Sequence, residues 1–446
     1  MALSIAGSDS SAGAGIQADL KSFSALGVYG CTVITAVTAQ NTRTITAIEE
    51  ISSDLIRKQI QSILTDIPPD AIKIGMVYNK KVIKTICDSL QDVKVPIVLD
   101  PVMSSGSGVN LLVDNDLQFY ISKLIPLSTV ITPNLMEAQK ITGTKIKSEQ
   151  NITECIKVLK EYGARSVVIK GGHFQKNEII DYLWENQTNN FMKIKNSRIR
   201  NSRQIHGAGC NFSAAVTAFL ARNLKISDAC KLANKYVHSS IKTGLRLGKG
   251  LTINDPISSM YDGSLRYDVV QKLNYALSEI RNTNGLGVLI PETQSNLVFA
   301  LPYASRLDEV AAVKGRVIKI DRQAKPACII DFNASKHVGS AVLAYMSFNS
   351  EMRAAMNIKL DDKILSICKS HFEVANYDRS KEPIDVKRKE GTSIFWGIKK
   401  ALSKNDKAEI IYHLGDFGKE PMIMVFASDP ITVLHKIKKI LRLYDK

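Results

Sequence analysis

The sequence of 446 residues predicts an α/β protein, with a doubly covered and mainly parallel sheet followed by a second, smaller α/β domain. Three observations carry this. Short β-branched apolar runs alternate with helix-like stretches from residue 1 to about 255. Those runs are unbroken rather than alternating apolar and polar, as in strands buried on both faces. After "INDPISSMYDGSLRYDVV" the texture changes and a new set of apolar runs begins. The length calls for more than one core, and 45% hydrophobic residues can fill them.

In chain order, strands are expected at "ALSIAG", "CTVITAVTA", "AIKIGMV", "VPIVLDPVM", "LSTVITPN" and "RSVVIKGG". Several end in Gly, Asp, Pro or Asn. In parallel sheets ligands sit beyond the carboxyl ends of the strands, so these terminal polar residues are the ones to read. "DLIRKQIQSILTDI", "ITECIKVLKEYGA" and "NFSAAVTAFLA" read as helices. "YDGS" reads as a turn-rich break that divides the chain into residues 1–262 and 263–446. Beyond it come a helix, "RYDVVQKLNYALSEIRN", and the runs "LVFALP", "ACIIDF" and "PMIMVFAS". A basic terminal helix, "LHKIKKILRLYDK", is expected to pack on one face.

The bulk properties narrow the classes. No stretch reaches the ~18–20 uncharged apolar residues of a membrane helix, so no membrane partner is expected. "MALSIAGSDS" reads as a strand running into a turn, not as a signal peptide, and a cytoplasmic location follows. Cys31, Cys87, Cys155, Cys210, Cys230, Cys328 and Cys368 form no C-x-x-C pair and are odd in number, which argues against a disulfide framework or a structural zinc. The formal charge of +16 favours anionic partners. With no nucleic-acid recognition motif present, phosphorylated small molecules are expected rather than nucleic acid.

Polar residues after the apolar runs suggest chemistry. "AGSDSSAGAGIQADL" is a glycine-bearing strand-to-helix turn that lets a ligand approach the backbone. Asp100, ending a buried strand in "VLDPVMSSGSG", could hold Mg²⁺ or cap a turn. In "ITPNLMEA", Asn134 and Glu137 have capping-box spacing and could equally face a metal–phosphate pair. Lys170 in "VVIKGGH" could reach a phosphate oxygen. In "RQIHGAGCNFSAA", Gly207, Ala208 and Gly209 open a helix whose first amides form an anion-binding nest. Cys210 lies at that helix start, where a thiol pKa is expected to fall and the sulfur could take a hydroxyl proton during phosphoryl transfer.

Together, "GSDSSAGAGIQADLKSFSALGVYG", "VTAQNT", "KIGMV", "VLDPVM", "TPNLMEA", "VVIKGGH" and "HGAGC" closely resemble the hydroxymethylpyrimidine/phosphomethylpyrimidine kinases of thiamine biosynthesis, over about residues 2–255. The resemblance implies a ribokinase-like three-layer αβα fold and ATP as co-substrate. It also implies two successive phosphorylations, of the free alcohol and then of its monophosphate. It assigns the pyrimidine to Asp19, Gln40 and Met76, phosphate contact to Lys170, the Mg²⁺–phosphate region to Asp100 and Glu137, and the base to Cys210. Sugar kinases of the superfamily usually place Asp there, so Cys favours a hydroxymethyl heterocycle. The family usually reads "HGTGC" followed by Thr; here Ala208 and Asn211 depart from it.

In the second half, "EVAAVKGRVIKI", "IIDFNASKHVGSAVLAYM", "EMRAAMNIKL" and "YHLGDFGKEPMIMVFA" set Lys314, Arg316, Asn333, Lys336, His337, Arg353, Asn357, Asp416, Lys419 and Glu420 near glycines or apolar runs. Arg and Lys there suit a diphosphate. "NGLGVLI", "VKGRV", "SKHVGSAVL", "RAAMNIK", "EGTSIFWG" and "GDFGKEPMI" resemble the archaeal-type thiamine-phosphate synthase domain, which is commonly fused behind this kinase. The resemblance associates Arg316 and His337 with synthase activity. It also implies self-association. A thiamine-phosphate sensor is the alternative for this half, although no helix-turn-helix companion is present. A vitamin B6-type kinase is the alternative for the first.

Overall fold

The computed structural model describes residues 1–106, 108–172, 178–186, 188–199, 205–327, 329–383, 392–416 and 420–446. Cys328, Lys419 and the histidine that ends "VVIKGGH" lie outside them. The chain forms two compact units, Met1–Tyr261 and Asp262–Lys446. Among the described residues no helix is long and apolar enough to cross a membrane.

The first unit holds a nine-stranded sheet. Its strands are β1 (Ala2–Asp9), β2 (Gly30–Gln40), β3 (Ile45–Glu50), β4 (Ala71–Ile74), β5 (Ile97–Leu99), β6 (Val130–Ile131), β7 (Ser166–Gly172), β8 (Glu178–Glu185) and β9 (Asn190–Ser197). They lie in the order β3-β2-β1-β4-β5-β6-β7-β8-β9. The pairs from β2 to β7 are parallel, and β3, β8 and β9 join antiparallel at the edges. The strand period of two sends Leu3 and Ile5 of β1 into the core on one face, while Ala2 joins the core on the other. Helices α1 (Gly15–Ala25), α2 (Ser53–Asp66), α3 (Lys80–Leu90), α4 (Leu117–Leu127), α5 (Leu135–Thr142), α6 (Glu149–Glu161), α7 (Ala208–Ala221) and α8 (Ile226–Lys242) cover the sheet. The apolar residues of α7 and α8 fill one core; those of α3, α4 and α6 fill the other, which gives three layers. Two short strands, β10 (Ile205–His206) and β11 (Thr252–Ile253), pair in parallel just ahead of α7 and after α8.

The expected break at "YDGS" is not a break. Helix α9 (Ser258–Arg281) runs through it, and the division between the units falls inside that helix. A glycine in a helix interior costs only about 1 kcal/mol relative to alanine. Asp262 offsets this by accepting from Arg266 one turn on, at 2.8 Å, and from the Tyr303 hydroxyl. Val269, Leu273, Ala276, Leu277 and Ile280 then form the buried stripe of an amphipathic helix.

The second unit is built on β12 (Leu297–Ala300), β13 (Val310–Lys314), β16 (Ile329–Phe332), β17 (Ala354–Lys359), β18 (Val374–Asn376), β19 (Ile410–His413) and β20 (Met422–Ala427), in the order β16-β13-β12-β17-β20-β19-β18. Every pair is antiparallel except β18–β19. A small hairpin, β14 (Val317–Ile320) with β15 (Gln323–Pro326), leaves the sheet between β13 and β16. Helices α10 (Lys336–Met346), α11 (Asp362–His371), α12 (Thr392–Leu402) and α13 (Pro430–Tyr444) pack against the sheet. The terminal α13 buries Val433, Leu434, Ile437, Ile440 and Leu441, while Lys436 and Lys438 pair with Glu409 and Glu279 and Lys439 is exposed.

Candidate active sites

In the first unit a cavity of about 770 Å³ opens at the carboxyl ends of the parallel strands. The loop after β1 forms one wall. Asp9, almost fully buried, accepts from the amides of Ser11 (2.8 Å), Gly13 (3.1 Å) and Ala14 (2.8 Å) and from the Ser11 hydroxyl (2.7 Å). Burial opposes its ionisation, but His206 and these donors outweigh burial and hold the carboxyl below its usual range. Gly207 stands at φ 86°, and a Cβ there would lie 1.8 Å from the Gly13 carbonyl. Only glycine lets the loop and the start of α7 approach this closely.

Gly207, Ala208 and Gly209 stand at the start of α7. Gly207 is the N-cap of α7 and supplies no side chain, and the first intrahelical bond runs from the Asn211 amide to the Gly207 carbonyl at 2.9 Å. The amides of Ala208, Gly209 and Cys210 precede that bond, and Gly207, Ala208, Gly209 and Cys210 all line the cavity. The departure at Asn211 is absorbed away from the cavity, where its oxygen accepts from Ser22 of α1 at 3.0 Å.

The thiol pKa expected at Cys210 is corrected. Burial pushes it up to about 12, helped by the charges of Asp100 and Asp19 and only partly offset by the Lys73 ammonium and the Gly15 amide. Desolvation therefore outweighs the helix terminus. The sulfur is nevertheless not sealed away, since Cys210 faces the cavity.

Behind it lies a buried charge network. Lys73 of β4 is ion-paired with Asp19 of α1, 3.3 Å from the Cys210 carbonyl and 3.9 Å from Asp100. The pairing keeps its ammonium charged well above the ordinary lysine range. Asp19 also accepts from the Ser4 hydroxyl at 2.6 Å. It is fully buried and does not line the cavity, so its expected contact with a pyrimidine is replaced by a contact with Lys73. Asp100, at the end of β5, accepts from Lys170 (3.1 Å) and from Ser213 of α7 (2.9 Å). Burial alone would raise its carboxyl; the Lys170 and Lys73 ammonium groups bring it below the usual range.

Glu137 makes the capping box with Asn134, at 2.7 and 2.9 Å, and also lines the cavity. Burial pushes its carboxyl up, and nearby Asp100 adds to this. Lys170 thus stands between two acids in one cavity. A magnesium ion takes one or two carboxylates plus substrate phosphate oxygens rather than a closed protein cage. Asp100 and Glu137 fit that donor set, and among the described residues no cluster of three ligands competes with it.

Gln40 and Met76 line the same cavity. His206 Nε2 lies 3.1 Å from Asp9 Oδ2 and 2.9 Å from the Gln40 amide terminus. Asp9 can only accept, so Nε2 carries the hydrogen, and the Gln40 oxygen is assigned toward it. The Gln40 nitrogen then faces Thr38 Oγ1 at 3.4 Å, whose own hydrogen goes to the Ser8 carbonyl at 2.9 Å. Both neighbours require the same amide orientation. Asp9, Lys73, His206 and Ser213 were not singled out as site residues from the sequence. Lys73 had a usable signal, because a lone charge inside an apolar strand must find a partner.

In the second unit a cavity of about 510 Å³ is lined by Arg316, Lys336, His337, Arg379, His413 and Glu420, among others. Arg316 follows β13 in a tight turn at φ 66° and donates to the Thr293 carbonyl at 2.5 Å. Glu420 in turn fixes that segment by accepting from the amides of Glu292 and Thr293 and from the Thr293 hydroxyl, at 2.7–3.0 Å. His337 sits in the first turn of α10. Asn357 holds Asn296 through its amide at 2.8 Å, and both line the cavity. Lys314 pairs with Asp331, and Arg353 donates to the Ala300 carbonyl and lies over Phe299; neither lines the cavity. Arg379 and His413 were missed from the sequence.

The comparisons with known proteins agree with this division. Residues 9–255 match the family model for phosphomethylpyrimidine kinase, and residues 272–439 match that for thiamine-phosphate synthase ThiN. The chain is 31% identical over 447 residues to the bifunctional thiamine biosynthesis protein ThiDN of Methanocaldococcus jannaschii, with 99% of each covered. It is 42% identical over 251 residues to a hydroxymethylpyrimidine/phosphomethylpyrimidine kinase of Rhizobium meliloti, covering 56% of this chain and 93% of that protein. Among solved structures, the pyridoxal kinase of Staphylococcus aureus in complex with AMP-PCP and pyridoxal matches at TM-score 0.52 and 33% identity, over 58% of this chain and 93% of that one.

Proposed function

The chain belongs to the family of bifunctional thiamine-biosynthesis proteins in which a hydroxymethylpyrimidine/phosphomethylpyrimidine kinase is followed by a ThiN-type thiamine-phosphate synthase, and on that premise we propose how its two cavities divide the chemistry. The first unit phosphorylates the hydroxymethylpyrimidine and then its monophosphate. The second joins the resulting diphosphate to hydroxyethylthiazole phosphate and releases pyrophosphate. ATP is the phosphoryl donor, a reading supported by the nucleotide analogue in the related pyridoxal kinase. Asp100 and Glu137 would hold Mg²⁺ with the nucleotide phosphates, and the ion would neutralise phosphate charge.

The observation that carries the kinase reading is the set of amides at 208–210 opening beside the Cys210 sulfur and the Lys170 ammonium in one cavity. The amides cradle the migrating phosphoryl group, Lys170 contacts its oxygens, and Cys210 takes the hydroxyl proton. The assigned amide of Gln40 leaves one N–H and one oxygen lone pair for a ligand. That pattern complements the ring nitrogen and exocyclic amine of an aminopyrimidine.

The elevated thiol pKa makes a pH prediction. Burial holds the Cys210 thiol protonated at pH 7. If Cys210 is the base, kinase kcat/KM rises about tenfold per pH unit through the neutral range. Cys210→Asp, which places there an acid intrinsically stronger than a thiol, should flatten that slope. Parallel profiles for the two proteins would show that the proton goes elsewhere.

In the synthase cavity, Arg316 and Lys336 stabilise the diphosphate as its C–O bond breaks and the electron pair leaves with pyrophosphate. The thiazole nitrogen captures the pyrimidinyl-methyl cation, and His337 handles the proton of the leaving group. Arg316→Ala and His337→Ala are each expected to lower pyrophosphate release by 10²-fold or more, on the order of a lost transition-state donor. ADP formation by the first unit serves as the control. Release at the wild-type rate from both variants would remove the synthase assignment and leave a thiamine-phosphate sensor.

A further inference from the structure

The synthase cavity contains one arginine that the assignments above do not use. Arg379 lies in the turn after β18 and is only 4% exposed, the one buried arginine among the described residues. It lines the same cavity as Arg316. Among the described residues the Nε–H has no hydrogen-bond partner, and the charge is met by Glu382, 3.8 Å away, beyond hydrogen-bond reach. Ser295, fully buried in the same wall, also has an unpartnered hydroxyl.

A guanidinium stays protonated at any ordinary pH and offers five N–H donors in a rigid fork. Leaving such donors unfilled away from water costs more than leaving a neutral group unfilled. Glu382 offsets the charge from outside the lining and leaves the fork open to the cavity. Among the described residues the cavity wall has a single acid, Glu420, and its carboxylate is already engaged by the amides of Glu292 and Thr293. The unfilled donors therefore call for an anion that arrives with the ligand.

We propose that Arg379 is a second anion-binding guanidinium of the synthase cavity, which grips the pyrimidine diphosphate together with the Ser295 hydroxyl. Arg316 is exposed and tied to a backbone carbonyl, whereas Arg379 is buried, so the two can hold separate phosphate groups. The assignment rests on the synthase reading of this unit.

The test is a calorimetric titration of the full chain with inorganic pyrophosphate, the kinase cavity being saturated with ADP. Arg379→Gln is expected to weaken pyrophosphate binding about ten- to a hundredfold, the range for a hydrogen bond to a charged group. Arg379→Lys keeps the charge but not the fork and should fall between. Ser295→Ala should lose severalfold. Circular dichroism and a thermal melt of each sample report that the second unit is folded. If Arg379→Gln does not fold, Arg379→Lys alone decides. Wild-type affinity in either Arg379 variant overturns the proposal. Arg379-dependent binding in a protein that forms no thiamine phosphate would keep the anion site and sink the synthase reading instead.

Discussion

Replacing Cys210 by serine is expected to lower phosphoryl transfer to hydroxymethylpyrimidine by about 10²–10⁴-fold, the range for loss of a positioned general base. ATP affinity should change little, because the nest is made of backbone amides that a serine at the same helix position preserves. A serine hydroxyl remains protonated at any pH the protein survives, so the rise of rate with pH should vanish along with the rate. Cys210 is also packed beside a charge network. Lys73 contacts the Cys210 carbonyl rather than its sulfur, so the network itself keeps its partners. Single-turnover transfer with ATP binding measured in parallel checks this. Wild-type turnover in Cys210→Ser would assign the proton to another group or to solvent.

The second large effect is on stability. Lys73→Met removes the ammonium from between Asp19 and Asp100, both almost fully buried. Asp19 keeps only the Ser4 hydroxyl, and an uncompensated carboxylate remains in the core. Breaking a buried pair by removing one partner costs about 3–5 kcal/mol. The denaturation midpoint of the first unit should fall accordingly. Adding Asp19→Asn to Lys73→Met should recover much of the loss, since the stranded charge goes with it. A change under about 1 kcal/mol in the single variant would mean that water reaches the pair.

The parts of the fold that the sequence revealed are those where one force dominates. The six unbroken apolar runs became β1, β2 and β4 to β7, because strands covered on both faces need no polar alternation. The antiparallel edges were not read. Strand β3 is half-exposed and ends in Glu49 and Glu50, and β9 carries Lys193 and Lys195, so neither announces itself as an apolar run. The turn signal at "YDGS" was overridden by tertiary bonding, with Asp262 held by Arg266 and Tyr303.

The site was legible where backbone geometry makes it. Glycine at 207 marked the start of the helix. Electrostatics was not legible in the same way. The helix terminus at Cys210 predicted a lowered pKa, but the outcome depends on burial and on Asp19, Asp100 and Lys73, which converge from three distant segments. Asp19 was likewise assigned to the ligand through resemblance, and only the packing shows that Lys73 stands between them in role. Arg379, in "YDRSKEP", looks like a solvated turn residue, and nothing local marks it as buried.

The most direct test of the whole account is a time course with one purified chain, free hydroxymethylpyrimidine, ATP, Mg²⁺ and hydroxyethylthiazole phosphate. The account predicts thiamine phosphate, with two equivalents of ADP and one of pyrophosphate for each molecule made. Accumulation of the pyrimidine diphosphate with no thiamine phosphate would contradict it.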